Sequence, residues 1–158
     1  MNQTAAVLDV PLLVTEHYTK AFGKTVEESA KTFPEEYTLF EKTKFSMLTE
    51  EVESWLSSSE KAKGRTEIVL YGIEAHVCIQ QTCLDLLEKG YGVHLVLDAV
   101  SSQRKYDREV AIERMKQAGA QVTTAEAIIF ELLGNAKDEK FKPMMSTIKL
   151  PGPTESFD

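Results

Sequence analysis

The stretch "TEIVLYGIEAHVCIQQTCLDLLEKGYGVHLVLDAVSS", Thr66–Ser102, decides the fold. It opens with a short apolar run, Thr66–Gly72, that reads as a strand. A helix follows to Lys89, and Gly90 stops it. A second apolar run, Tyr91–Ser102, reads as another strand. Short, nearly continuous apolar strands joined by a helix imply a parallel pair buried on both faces.

Working outward, the same alternation continues. A helix is expected from about Gln103 to Ala118, with Ser101 or Ser102 as N-cap and Gly119 as stop. "AQVTT" (Ala120–Thr124) reads as a strand. Thr123 and Glu126 then form a capping box for "TAEAIIFELLG". Upstream, "VPLLVTEHY" (Val10–Tyr18) reads as a strand. Leu48, Val52, Trp55 and Leu56 share one helical face, and Ser57–Arg65 is a polar connector. The expected fold is α/β: three α/β/α layers around a parallel, Rossmann-like sheet. One domain spans residues 1–150, and residues 151–158, with Pro151 and Pro153, form a flexible tail. The chain opens on what reads as the end of a helix, "NQTAAVLDV", where a doubly wound fold opens on a strand. The expectation is a sheet lacking its first strand and helix.

Composition narrows the function. The chain has 158 residues, 42% hydrophobic and 27% charged, in the range of a folded globular protein. A net charge of −7 opposes non-specific nucleic-acid binding, which needs Lys and Arg on phosphates. No apolar run approaches the ~20 residues that span a bilayer. "MNQTAAVLDVPLLV" shows neither a basic signal n-region nor an Arg-rich transit pattern, so the expected compartment is the cytoplasm, with reduced thiols.

The two cysteines, Cys78 and Cys83, stand in a C-x4-C spacing with only three histidines in the chain, which does not match a zinc site. No metal and no cofactor are expected. Ile79, Cys83, Leu86 and Leu87 fall on one helical face, so Cys83 packs in the core. Cys78 shares a stripe with the polar Thr82, Asp85 and Lys89. It sits in the first turn after a strand, where unpaired backbone N–H groups and the helix dipole favour a thiolate and where open α/β sheets bind ligands. The residues alone leave two readings of Cys78, a reactive thiol or a capping position. They leave two for His76, a base or a solvated turn residue.

These motifs carry a resemblance. "GIEAHVC", the helix and strand after it and "DAVSS" resemble the signature of the isochorismatase-like hydrolases, G-[IV]-E-[AT]-x-x-C followed by D-A-x-S. "VPLLVTEHYTKAFGKTVEE", "EKTKFSM" and "DREVAIERMKQAGAQVTTAEAIIFELLGNAKDEKFK" extend it over about Val10 to Lys149. The resemblance implies a six-stranded parallel sheet and a Cys, Lys, Asp machinery. Carried over, Cys78 is the nucleophile that forms a covalent intermediate. Lys42 supports the charged pair, chosen over Lys44 by motif register alone. The resemblance also implies a non-proline cis peptide at Ile73–Glu74, whose backbone joins the Cys78 N–H in binding an oxyanion. Glu16, His17, Glu74, Ser101 and Thr124, at carboxyl ends of strands, are candidate pocket residues, and Asp98 is a structural residue of the D-A-x-S turn.

Two departures follow. The family Asp ends the first strand, and Asp9 stands at the wrong end of Val10–Tyr18 to replace it. The absent strand would leave a gap between Val10–Tyr18 and Thr66–Gly72. His17 lacks the D-x-H partners of the family's metal-binding members, so nicotinamide is not the expected substrate. A cysteine at the nucleophile position argues against vinyl-ether hydrolysis. The leading expectation is a metal-independent cysteine hydrolase of a small amide, imide or ester-type carbonyl compound, assembled as a homo-oligomer. One alternative is a catalytically impaired or truncated member with a binding or oligomerisation role. A second is RNA-related activity, because some relatives carry a ribonuclease label; by the same likeness, mitochondrial association joins the cytoplasmic expectation. The cations Arg104, Lys105, Arg108, Arg114 and Lys116 alternate with Asp107, Glu109 and Glu113, which reads as a salt-laced helix face.

Overall fold

A computed structural model describes residues 1–148. The expected tail at 151–158 lies outside the described residues. Helix α1 (Asn2–Leu8) leads to strand β1 (Leu13–His17), short helices α2 (Thr19–Phe22) and α3 (Glu27–Ala30), and strand β2 (Thr38–Lys42). Helix α4 (Glu50–Ser58) precedes β3 (Glu67–Ile73), a π-helical turn (Ala75–Ile79) and α5 (Gln80–Glu88). The chain continues through β4 (Gly92–Ser101), α6 (Lys105–Gln117), β5 (Gln121–Thr123), α7 (Ala125–Leu133) and α8 (Phe141–Ile148).

All strand pairings are parallel, as the alternation of strands and helices predicts. They form two sheets, β1–β2 and β3–β4–β5. β1 and β3, the runs on either side of the expected gap, lie in different sheets. Strand β2 was not foreseen. "TLFEK" holds two apolar residues and no alternation long enough to stand out, and its strand character comes from pairing with β1 from Leu13↔Thr38 to His17↔Lys42.

Strand β4 is buried on both faces, which explains its unbroken apolar run. Val93 and Leu95 belong to a core with Ile79, Cys83 and Leu86 of the π turn and α5, Ala111 and Met115 of α6, and Val52 of α4. Val96, on the opposite face by strand alternation, is equally inaccessible. A second cluster joins α7, α8 and α1 through Ile129, Leu133 and Met144, with Val7 and Leu8 packed against it.

The register between β3 and β4 slips between Leu70 and Gly72. Such an irregularity strips carbonyls of ladder partners. Arg108 of α6 supplies replacements, donating from Nε to Val100 O at 2.9 Å and from Nη2 to Leu97 O. Asp98, in the same segment, accepts from Ala125 N at 2.8 Å and so anchors the start of α7, a structural task as expected.

Two caps differ from expectation. The side-chain cap of α7 is Thr124, which accepts from Ala127 N, and not Thr123. Helix α6 has no side-chain cap, because β4 runs on to Ser101, and its N-cap is Arg104. The first strand is also shorter than the Val10–Tyr18 run.

Candidate active site

Strand β3 carries the chain to the π turn that holds Cys78. Glu74 leads into that turn in extended backbone, and the Ile73–Glu74 peptide is cis. Cys78 is half-buried, whereas Cys83 is fully buried. Burial pushes the Cys83 thiol up to about 11, the expected behaviour of a packed, inert cysteine. The sequence placed Cys78 in the first turn of an α-helix. The π turn occupies that position instead, and α5 begins two residues later.

The polar stripe around Cys78 is tied to neighbouring elements. Thr82 is 2% exposed. Its hydroxyl donates to Cys78 O at 2.6 Å and accepts from Met47 N at 2.8 Å. Asp85 pairs with Lys44 at 3.3 Å, and Lys89 pairs with Glu53 of α4 at 3.0 Å. The stripe thus docks α5 against the segment following β2. That segment brings in the lysine.

Lys42 ends β2 and is 5% exposed. Its ammonium donates to Phe45 O at 2.8 Å and Lys44 O at 3.0 Å. It lies 3.7 Å from Cys78 Sγ and 3.4 Å from His17 Nδ1. Burial pushes this ammonium below the usual lysine range, and the neighbouring Cys78 offsets part of that shift. Lys44, the competing candidate, turns away to Asp85 and Leu48 O.

Of the candidate pocket residues, His17 alone is brought to this pair. Its ring stacks on Phe45, with centroids 5.5 Å apart and an interplanar angle of 21°, and tilts against Phe22 at 5.7 Å. Neither phenylalanine was singled out from the sequence. Phe45 lies within the quoted "EKTKFSM", but its contact with His17 exists only once β1 and β2 pair. Glu16 points elsewhere, accepting from Thr25 N at 2.8 Å. Ser101 is exposed opposite Ile73, and Thr124 is taken up as the α7 cap. Glu74 accepts from Gln103 N at 2.8 Å, and His76 Nδ1 lies 3.0 Å from Ser102 Oγ. His76 is therefore a partnered turn residue.

Among the described residues, no group of three or more His, Cys, Asp or Glu side chains is arranged to hold a metal ion. None of the described helices is long and apolar enough to cross a membrane.

The chain is similar to the secreted isochorismatase effector Isc1 of Phytophthora sojae, with 45% identity over 151 residues, 94% of this chain and 71% of that protein. It is also similar to isochorismatase domain-containing protein 2 of Xenopus laevis, with 46% identity over 153 residues, 97% of this chain and 72% of that protein. Among solved structures, MAR1 ribonuclease from Caenorhabditis elegans superposes with a TM-score of 0.90 at 41% identity, covering 99% of this chain and 79% of that one. The isochorismatase domain model matches residues 1–127. With more than half of its length matched by that model and relatives at this identity, the chain belongs to the isochorismatase family.

Proposed function

We propose that this chain is a metal-independent cysteine hydrolase of a small amide, imide or ester-type carbonyl compound. The observation that supports it most is the buried Lys42 ammonium 3.7 Å from Cys78 Sγ, fixed by two carbonyls. A cation held beside a thiol favours the nucleophilic thiolate. In this reading Cys78 Sγ attacks the carbonyl carbon, and the carbonyl π electrons move onto oxygen. Backbone around Ile73–Glu74 and the Cys78 N–H stabilise that oxyanion. Collapse expels the amine or alcohol with a proton delivered through Lys42, and water cleaves the acyl-thioester to free Cys78 and a carboxylic acid.

Self-association belongs to the same reading. Tyr106 and Val110 on α6 and Val122 on β5 leave apolar surface exposed. Nucleic-acid work, raised by the ribonuclease name of some relatives, finds less support. Lys105 pairs with Glu109, and Arg108 donates to two carbonyls of β4.

The test is a panel of small amides, imides and activated esters, hydrolysed by the wild type and by Cys78→Ala. The variant is expected to lose about 10³-fold or more in turnover. A variant that retains the wild-type rate overturns the proposal.

A further inference from the structure

Lys42 and Cys78 face one another as amine and thiol, Nζ to Sγ 3.7 Å. A lysine ammonium has three N–H bonds. Two go to Phe45 O at 2.8 Å and Lys44 O at 3.0 Å. The neutral amine has two N–H bonds and a lone pair. With both N–H bonds kept by these carbonyls, the lone pair is left to the side on which Cys78 Sγ and His17 Nδ1 stand. Burial, which pushes the Lys42 ammonium below the usual lysine range, favours that amine. A nucleophilic nitrogen is thus held beside a half-buried sulfur.

Oxidation gives this pair a chemistry apart from hydrolysis. A thiolate that meets a hydroperoxide becomes a sulfenic acid. Condensation with a thiol or a nitrogen rescues it, and without that it goes on to the irreversible sulfinic and sulfonic acids. Within this chain the usual captors are closed to Cys78. The other thiol, Cys83, is fully buried in the core, and burial pushes it up to about 11. The backbone nitrogen that follows Cys78, Ile79 N, is donated to Glu74 O at 3.2 Å inside the π turn. Lys42 Nζ is the captor that the geometry provides.

We propose that Lys42 captures oxidised Cys78 in a covalent sulfur–nitrogen link, a reversible redox switch set by hydroperoxides. In the first step the Cys78 thiolate attacks the terminal oxygen of the hydroperoxide. An S–O bond forms and the O–O bond breaks. The departing alkoxide takes a proton from the Lys42 ammonium, leaving an alcohol, a sulfenic acid and a free amine. The charges of thiolate and ammonium cancel in this step, and sulfur gives up two electrons to the peroxide. In the second step the amine attacks Sγ. The S–N bond forms, the S–O bond breaks, and hydroxide leaves as water with one N–H proton. Two small thiols reverse the link: the first breaks the S–N bond and restores the amine, and the second frees Cys78 and carries off a disulfide. The linked nitrogen keeps one N–H, so one of Phe45 O and Lys44 O loses its donor while the link stands.

The link rests on the same Lys42–Cys78 contact as the hydrolase reading, but not on turnover. The full chain is treated with a few equivalents of hydrogen peroxide at neutral pH, blocked with iodoacetamide, digested without reductant and mapped by mass spectrometry. Lys42→Arg is treated alongside. Arg keeps the cation but does not give up its proton, so an effect of charge alone survives it. The wild type is expected to yield a Lys42–Cys78 cross-linked peptide about 2 Da lighter than its two parts together, lost on treatment with dithiothreitol as Cys78 labelling returns. Lys42→Arg is expected to give no link, to run on to sulfinic acid and to recover about tenfold less labelling. The wild-type map decides alone should Lys42→Arg not fold. Wild-type Cys78 recovered without that link, whether as free thiol, as sulfinic acid or joined to Cys83 or Ile79 N, overturns the inference. If the reduced protein then still hydrolyses the amide and ester panel, the hydrolase reading stands without the switch. A link formed in a protein that hydrolyses none of the panel leaves the switch standing without the hydrolase.

Discussion

Replacing Lys42 by Met removes one charge at nearly constant length, and the geometry sets the consequence. At 3.7 Å, an ammonium and a thiolate attract by about 4 kcal/mol at an effective dielectric near 20. Cys78 is half-buried, so solvent screens part of this. About 1.4–2.7 kcal/mol remains, or roughly 10- to 100-fold in labelling rate. The substitution also leaves Lys44 O and Phe45 O without their donor, which costs about 1–3 kcal/mol in stability. The two effects are measured apart: iodoacetamide labelling of Cys78 at pH 7 reads the first, and urea unfolding reads the second. Lys42→Met is expected to slow labelling by 10- to 100-fold under conditions where the protein remains folded. A folded Lys42→Met protein whose Cys78 reacts at the wild-type rate refutes the pairing of ammonium and thiol.

Further outcomes follow from other contacts. Thr82→Val deletes the hydroxyl between Met47 N and Cys78 O; it should lower unfolding free energy by about 1–3 kcal/mol and slow Cys78 labelling, read by urea midpoint and mass spectrometry. Burial raises Cys83 from 9.0 to about 11 and Tyr71 from 10.0 to about 12. Raised groups stabilise the fold below their unfolded values and lose that contribution as pH climbs through the folded ones. The melting temperature should therefore fall between pH 9 and 12, and Cys83→Ala should flatten the lower part of that fall by an amount of order 2 kcal/mol, checked by thermal melts against pH. RNA binding that weakens with salt is not expected; its survival in Cys78→Ala, measured by filter binding over a salt series, would reopen nucleic-acid chemistry.

What the sequence disclosed, and what it hid, divides along physical lines. The parallel character of the sheet was legible because β4 is covered on both faces and so reads as one apolar run. Cys83 was legible because a helical face repeats locally. The partner of Thr82 was hidden: periodicity separates two helix faces but does not say that the polar one docks on Met47. Lys42 was reached by motif register, since β2 itself is too short and polar to announce a strand. Its buried ammonium depends on carbonyls of the turn that follows. The capping serines at 101 and 102 failed because tertiary pairing prolongs β4 to Ser101, overriding a local preference. The meeting of His17 with Lys42 and Phe45 was out of reach, since it requires the β1–β2 register and contacts between residues 25 and 28 positions apart.

The most direct test of the central claim is to catch the acyl-enzyme. The protein is mixed with a slight excess of p-nitrophenyl acetate, quenched in acid within the first turnover, digested and mapped by mass spectrometry. The account predicts an acetyl group on Cys78 that decays as acetate is released, with Cys83 unmodified and no adduct in Cys78→Ala. Acetylation confined to Cys83 or to surface lysines, with Cys78 bare at every time point, would contradict it.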